Sequence, residues 1–330
     1  MKIALVTDAW QPQVNGVVRS LERTRTELVR LGHQVEVVHP GLFRTLPCPT
    51  YPEILLAWSA PWALPALLRE LAADAVHVAT EGPLGWAARA WCRRRGMGFT
   101  TSFHTRFPEY VRARTGLPVG PGYALFRHFH NGGRCTMVAT QGLREELAQR
   151  GFRHLALWSR GVDTDLFRPQ AKTALDFPRP IHLYFGRVAV EKNLDAFLDL
   201  DLPGSKVVIG AGPALERLRA RYPDAHFLGE KVGEDLARHV AAADVFVFPS
   251  RTDTFGLVIL EAMACGIPVA AFPVAGPRDV LVQGETGILD EDLGRAARAA
   301  LALSPQACRV AAMARTWRSC AEQFLANLAV

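Results

Sequence analysis

Short runs that are apolar throughout recur along the chain, and between them apolar residues return every three or four positions. A run without polar alternation suits a strand buried on both faces, and the wider spacing suits an amphipathic helix. The pattern predicts strands at residues 3–7, 34–39, 75–77, 99–103, 137–140, 181–185, 206–209, 226–228, 245–249 and 269–272. It predicts helices at 17–31, 84–95, 143–149, 194–200, 215–222, 235–242, 257–264 and 294–303. Strand and helix alternate in both halves, so the expected fold is α/β, with two doubly wound, Rossmann-like domains facing a cleft. The stretch 167–180, with Pro169, Pro178 and Pro180 among charged residues, is the expected linker. Domains of 1–170 and 171–315 follow from it.

A length of 330 residues accommodates two domains of about 150 residues each. A hydrophobic content of 49% against 21% charged excludes a disordered chain. No apolar run approaches the ~18 residues of a membrane span. The stretch from Met1 to Asp8 is too short and too soon charged for a secretory signal, so it reads as a first strand, and the cytoplasm as the compartment. Six cysteines (Cys48, Cys92, Cys135, Cys265, Cys308 and Cys320) form no Cys-x-x-Cys pair. They are expected to be reduced, buried and unreactive, without a structural zinc. Charge changes the picture more. Residues 1–165 hold 20 Lys and Arg against 13 Asp and Glu, residues 166–330 hold 18 against 19, and the chain's net is +6. A basic first half suits an anionic membrane surface or phosphate, while the excess of arginine over lysine equally suits an arginine-rich genome.

Candidate chemistry sits where predicted strands give way to helices. Asn15-Gly16 precedes helix 17–31, where a glycine lets backbone amides approach a ligand and the helix N-terminus favours phosphate. Asn15 capping a plain turn explains the pair equally well. Without a Gly-x-Gly-x-x-Gly run a dinucleotide has no support. His104 follows strand 99–103 on a stretch with Arg106, Glu109, Arg112 and Arg114, a polar density that a core would not hold unpaired. Arg187 and Lys192 flank the turn before helix 194–200, two cations beside a helix N-terminus that suit a diphosphate and need no divalent metal. Gly210-Ala211-Gly212 reads as a tight strand-to-helix connection, and Val232 lies on a further glycine turn. In 250–266, Asp253 precedes Phe255-Gly256-Leu257, and Glu261 follows on helix 257–264. Glu261 has two oxygens to accept both hydroxyls of a ribose, and Asp253 would face a sugar ring, with helix capping as the simpler role. Paired carboxylates also serve inverting glycosidases, but there they flank the bond that is cut.

As a set, these runs resemble the retaining GT-B-fold glycosyltransferases of family 4. Segment 250–266 resembles the family's acid-x7-Glu signature, with Asp253 where a first Glu is more usual. Gly186-Arg187 with Lys192-Asn193, the His104-Thr105 loop and Asn15-Gly16-Val17 resemble its other motifs. So do Arg160-Gly161-Val162-Asp163, Pro273 to Pro277, Gly284 to Gly287, and 316–325, so the likeness spans essentially the whole chain.

The resemblance implies an acceptor-binding domain at 1–170, to which a helix at 316–330 returns, and a donor-binding domain at 171–315. It implies His104, Arg187, Lys192 and Asp253 as the catalytic set, His104 against the transferred sugar through its backbone carbonyl or ring. Donor contacts would come from Gly16, Arg187, Lys192, Gly212, Val232, Asp253, Phe255, Gly256, Leu257 and Glu261, and acceptor-side contacts from Asn15, Arg106 and Glu109. The implied reaction is retaining, metal-independent transfer of a hexose from a UDP- or GDP-sugar, which is a substrate, with no cofactor and no nucleic acid partner. The branch resembled makes glycolipids and mannosylated or glucuronosylated products. With the basic first half this implies a lipid or saccharide acceptor and a peripheral place at the inner face of the cytoplasmic membrane. Trp58, Trp62, Trp86 and Trp91 would lie at that interface or in the core, and Arg93, Arg94 and Arg95 would meet lipid or close a helix before Gly96. An epimerase or hydrolase on the same fold, or a nucleotide-sugar-binding protein without turnover, are the alternatives.

Overall fold

The computed structural model describes residues 1–13, 15–48 and 51–328, in two compact units. The first unit contains β1 (Lys2–Val6), β2 (Gln34–Val38), β3 (Leu46–Cys48), β4 (Tyr51–Leu56), β5 (Ala75–Val78), β6 (Thr100–Phe103), β7 (Cys135–Val138) and β8 (Leu155–Leu157). Six of these form a parallel sheet in the order β2-β1-β5-β6-β7-β8, while β3 and β4 pair as an antiparallel ribbon. β5 is buried along its whole length because helices cover both faces. On one face Leu64, Leu68, Leu84, Ala88 and Phe129 pack against Ala4, Val6, Val76 and Val78. On the other, Leu21 and Leu28 of helix Gly16–Arg30 join Ile3, Leu5, Trp158, Cys320 and Phe324. Helix Trp317–Ala326 therefore completes the first unit's core, and residues 329 and 330 of the expected helix lie outside the described residues.

The second unit contains β9 (Ile181–Phe185), β10 (Ser205–Ile209), β11 (His226–Phe227), β12 (Val245–Phe248), β13 (Val269–Ala271) and β14 (Gly287–Leu289), all parallel, in the order β11-β10-β9-β12-β13-β14. Chain direction across this sheet reverses between β9 and β12, the place where doubly wound sheets leave a crevice outside their carboxyl ends. The reversal in the first unit falls between β1 and β5.

Three expectations change. The division falls at Arg160/Gly161 rather than 170/171, and the second unit runs to Thr316. The proline-containing stretch is packed: Phe167 and Leu175 are buried, Arg309 donates to the carbonyls of Thr164 and Phe167, and Lys172 and Arg179 pair with Asp244. The helix expected at 194–200 shrinks to a single turn, Asp195–Leu198, set off from a preceding 3-10 turn, Val190–Lys192, by the left-handed Asn193. Helices Ala60–Leu71, Phe107–Thr115, Val119–His130 and Pro305–Met313 and strands β3, β4, β8 and β14 add to the predicted set. Cys92, Cys265, Cys308 and Cys320 are buried, which pushes the thiols of Cys92 and Cys265 up to about 12 and that of Cys308 to about 11. Trp86 and Trp91 pack on the core, whereas Trp58 and Trp62 are 45% and 73% exposed. No described helix is long and apolar enough to cross a membrane.

Candidate functional site

In the second unit the candidate residues gather at the carboxyl ends of β9 and β12. The Lys192 ammonium donates to Asp253 Oδ1 at 2.5 Å, and both side chains are largely buried. Arg187 Nε lies 4.0 Å from the buried carboxylate of Glu191. The carbonyl of Glu191 accepts from the hydroxyls of Ser250 and Thr252, and Asn193 donates to the carbonyl of Pro249, so the loops after β9 and β12 are laced together. Asp253 Oδ2 is buried and has no hydrogen-bond partner. A buried acceptor left in this state marks where an arriving donor group would be most favourable.

Glycines make this packing feasible. A Cβ at Gly210 would stand 1.9 Å from the Gly186 carbonyl oxygen, and one at Gly212 would stand 2.3 Å from that of Val188. Gly212 thus closes the tight connection, its φ of 152° lying where other residues are strained. Gly256, at φ 84°, precedes helix Leu257–Ala264, on which Glu261 is 9% exposed beside a buried Phe255. Val232 caps helix Gly233–Ala241, its side chain exposed. Because the segment after Asn193 is one turn long, it contributes no helix dipole beside Arg187 and Lys192, contrary to expectation.

In the first unit, Asn15 Oδ1 accepts from the amides of Val17 and Val18 at 3.0 Å, the capping role. Gly16 then opens a helix of 15 residues with no acid in its first turn, so that end carries positive partial charge. His104 is less available than its position suggests. Arg160 donates to His104 Nδ1 at 3.1 Å and has no acceptor, so Nδ1 is unprotonated and Nε2–H donates to Ser102 Oγ at 2.8 Å. Ser102 Oγ donates onward to the carbonyl of Ala79 and accepts from His77 Nε2, whose Nδ1 meets Thr100 Oγ1. Burial and the Arg160 charge hold His104 well below the ordinary histidine range, and burial takes His77 down to about 3. Arg160, itself buried, is lowered to about 10 and donates to the carbonyls of Trp158 and Ser159.

Arg106 and Glu109, expected on the acceptor side, hold the fold of the loop: Arg106 forms a two-pronged pair with Glu146, and Glu109 accepts from Tyr123 at 2.5 Å. Sequence reasoning passed over Asp8, at the carboxyl end of β1. Its buried carboxylate accepts from Thr80 Oγ1 and the amides of Leu84 and Gly85, and burial raises it to about 6. It also passed over the buried pair of Glu81 and His130, 3.0 Å apart. Placement just beyond strands β1 and β5, at the chain reversal, was the signal available for both acids. Asp-x-Asp spacings occur at 163–165, 199–201 and 290–292, yet among the described residues no group of three His, Cys, Asp or Glu is arranged to hold a metal ion.

Comparisons with known proteins agree with this fold. Residues 14–166 match the model of "Glycosyltransferase Family 4", and residues 179–304 that of "Glycosyl transferases group 1". A GDP-mannose-dependent alpha-mannosyltransferase of Mycobacterium tuberculosis is 30% identical over 319 residues, covering 88% of this chain and 83% of that protein. A namesake from Mycolicibacterium smegmatis is 31% identical over 88% of this chain and 84% of its own. Among solved structures, the sucrose-phosphate synthase of Thermosynechococcus elongatus superposes with a TM-score of 0.77 over 98% of this chain and 97% of that one, at 22% identity. Two parallel sheets of these topologies, the carboxylate and cation motifs on the second, and relatives matched over most of their length place the chain in glycosyltransferase family 4.

Proposed function

We propose that the chain transfers a hexose, with mannose first, from a nucleotide-diphosphate sugar to an acceptor hydroxyl, with retention of anomeric configuration. The GDP-mannose-dependent relatives support the donor. The observation that carries the reading is Asp253, with one oxygen on Lys192 and the other buried without a partner. A sugar hydroxyl donating to Oδ2 would satisfy it, Arg187 and Lys192 would face the diphosphate, and Glu261 would accept the ribose hydroxyls. The bond from the anomeric carbon to the phosphate oxygen breaks, the acceptor oxygen bonds to that carbon, and its proton passes to the departing diphosphate. Fixed cations suit the charge that develops on the leaving group. His104 serves through its backbone carbonyl, since its ring nitrogens are engaged within the unit. In the first unit the amides at Gly16 offer an anion subsite.

A lipid-linked acceptor, reached from a membrane surface, is supported by exposed Trp58 and Trp62 and by the basic first half. Thermal-shift screening against GDP-mannose, UDP-glucose and ADP-glucose tests the donor, because a cognate ligand raises Tm by mass action. Stabilisation by none of them, together with no sugar transfer, would dismiss the reading.

A further inference from the structure

Strands β6, β7 and β8 carry the loop of His104 beyond the carboxyl end of β6. At their opposite end, where these strands begin, lies a depression of about 560 Å³ lined by Arg89, Arg93, Arg127, His128, Asn131 and Arg153. No aspartate or glutamate lines it. A smaller neighbouring hollow shares Arg93 and adds Arg134, again with no acid. We propose that this arginine-lined depression is a phosphate-binding site, separate from the sugar-transfer site.

The cations are built in rather than scattered. Arg89 forms the floor: it is 7% exposed, its Nε donates to the carbonyl of Phe129 at 3.1 Å, and it lies 5.2 Å over the ring of Trp86. Gly132 makes way for it, since a Cβ there would stand 2.8 Å from Arg89 Nε. Gly98 does the same for Arg134, at 2.6 Å. Among the described residues none of Arg89, Arg93, Arg127, Arg134 and Arg153 pairs with a carboxylate. Burial and the neighbouring charge of Arg93 both lower the pKa of Arg89, as expected where like charges crowd.

Helices Pro83–Arg94 and Val119–His130 end at this spot, and their C-termini attract cations. Each terminus supplies only about half a negative charge, which does not balance five guanidiniums. The planar forks of arginine match phosphate oxygens in pairs, so a phosphomonoester, a diphosphate or a phospholipid headgroup meets the same chemistry.

The test starts from a chain carrying Arg187→Ala and Lys192→Ala, which removes the proposed donor cations. Calorimetric titration with inorganic pyrophosphate should still show one site. Arg93→Ala and Arg153→Ala should each weaken it about tenfold. Arg44→Ala and Arg318→Ala, at exposed positions elsewhere in the same unit, should not. Flotation with vesicles of phosphatidylcholine and phosphatidylglycerol separates the sources. Flotation lost in the depression variants without pyrophosphate binding assigns a lipid headgroup, and pyrophosphate binding with unchanged flotation assigns a soluble phosphate. Arg93 and Arg153 are exposed, so thermal melts should confirm folded variants. Indifference of both readouts to Arg93→Ala and Arg153→Ala, or equal losses in the two controls, would overturn the proposal. Pyrophosphate bound equally by wild type and by the Arg187→Ala, Lys192→Ala chain would count against the donor reading alone.

Discussion

The two units answer the same architectural problem in different ways. The second places Arg187, Lys192, Asp253 and Glu261 on loops and a short helix just past its strands, with glycines drawing those loops together. The first buries a polar file, Thr100, His77, Ser102, His104 and Arg160, beneath the matching edge of its sheet. All seven tryptophans lie in the first unit and none in the second. A sheet edge thus gathers charged groups on its loops in one unit and fixes a single loop by internal hydrogen bonds in the other. Substitutions in the second should show as lost chemistry, and those in the first as lost stability.

The strongest attempt to break that division is Lys192→Ala or Glu261→Ala. Each is expected to lower the kcat of mannosyl transfer from GDP-mannose by about a hundredfold to a thousandfold, with a smaller effect on the calorimetric melt, which reports both units. Wild-type turnover in both would leave the second unit without its assigned role. Next comes Arg160→Ala, which removes a buried guanidinium from three acceptors and releases the His104 ring. It should destabilise the first unit by about 2–4 kcal/mol in urea unfolding followed by tryptophan fluorescence. A melt shift confined to second-unit probes would contradict the comparison.

Acid should act on the first unit before the second. His77 and His104 are neutral when folded and have ordinary values of 6.5 when unfolded, so below pH 6.5 the unfolded state binds more protons and stability falls as pH falls. Asp8, raised to about 6 from 3.8, acts oppositely between those values, binding its extra proton in the folded state. From pH 6 toward pH 4 the two histidines outweigh the one aspartate, so the first unit loses stability as pH falls. The second unit has a lone counterpart in His182, lowered to about 4 by burial. Tryptophan-detected melts from pH 7 to pH 4 check this, and a flat profile would contradict it. The smallest effect is expected from metal removal: if Arg187 and Lys192 supply the positive charge, turnover should be unchanged by EDTA.

The parallel sheets were legible because apolar runs such as 3–6 and 245–248 have no alternation and are separated by helical spacing. Strands β3, β8 and β14 were not, since three-residue strands hold too little pattern to register, and Pro52 interrupts the six-residue β4 near its start. Helices Ala60–Leu71 and Phe107–Thr115 were hidden by Pro61 and Pro108, which sit in the first helical turn, where a missing amide costs nothing. Of the site, Lys192 and Asp253 stood out through local turns, and folding joins them across 61 residues. The constraint on His104 comes from Arg160, 56 residues away, through a single hydrogen bond that no local pattern announces. Arg106 likewise gave no sign of Glu146.

The first unit is discontinuous in the chain, leaving at Arg160 and resuming at Trp317. The Trp158 indole donates to Cys320 Sγ, and Phe324 packs at 5.0 Å from the Trp158 ring, so a central layer of that core waits for the last helix. During synthesis the second unit can therefore complete its sheet and close its core first, while the earlier-made segment still has Leu21 and Leu28 uncovered on that side. Order of emergence from the ribosome and order of completion are reversed, and a nascent chain stalled before Trp317 would offer that uncovered face to chaperones.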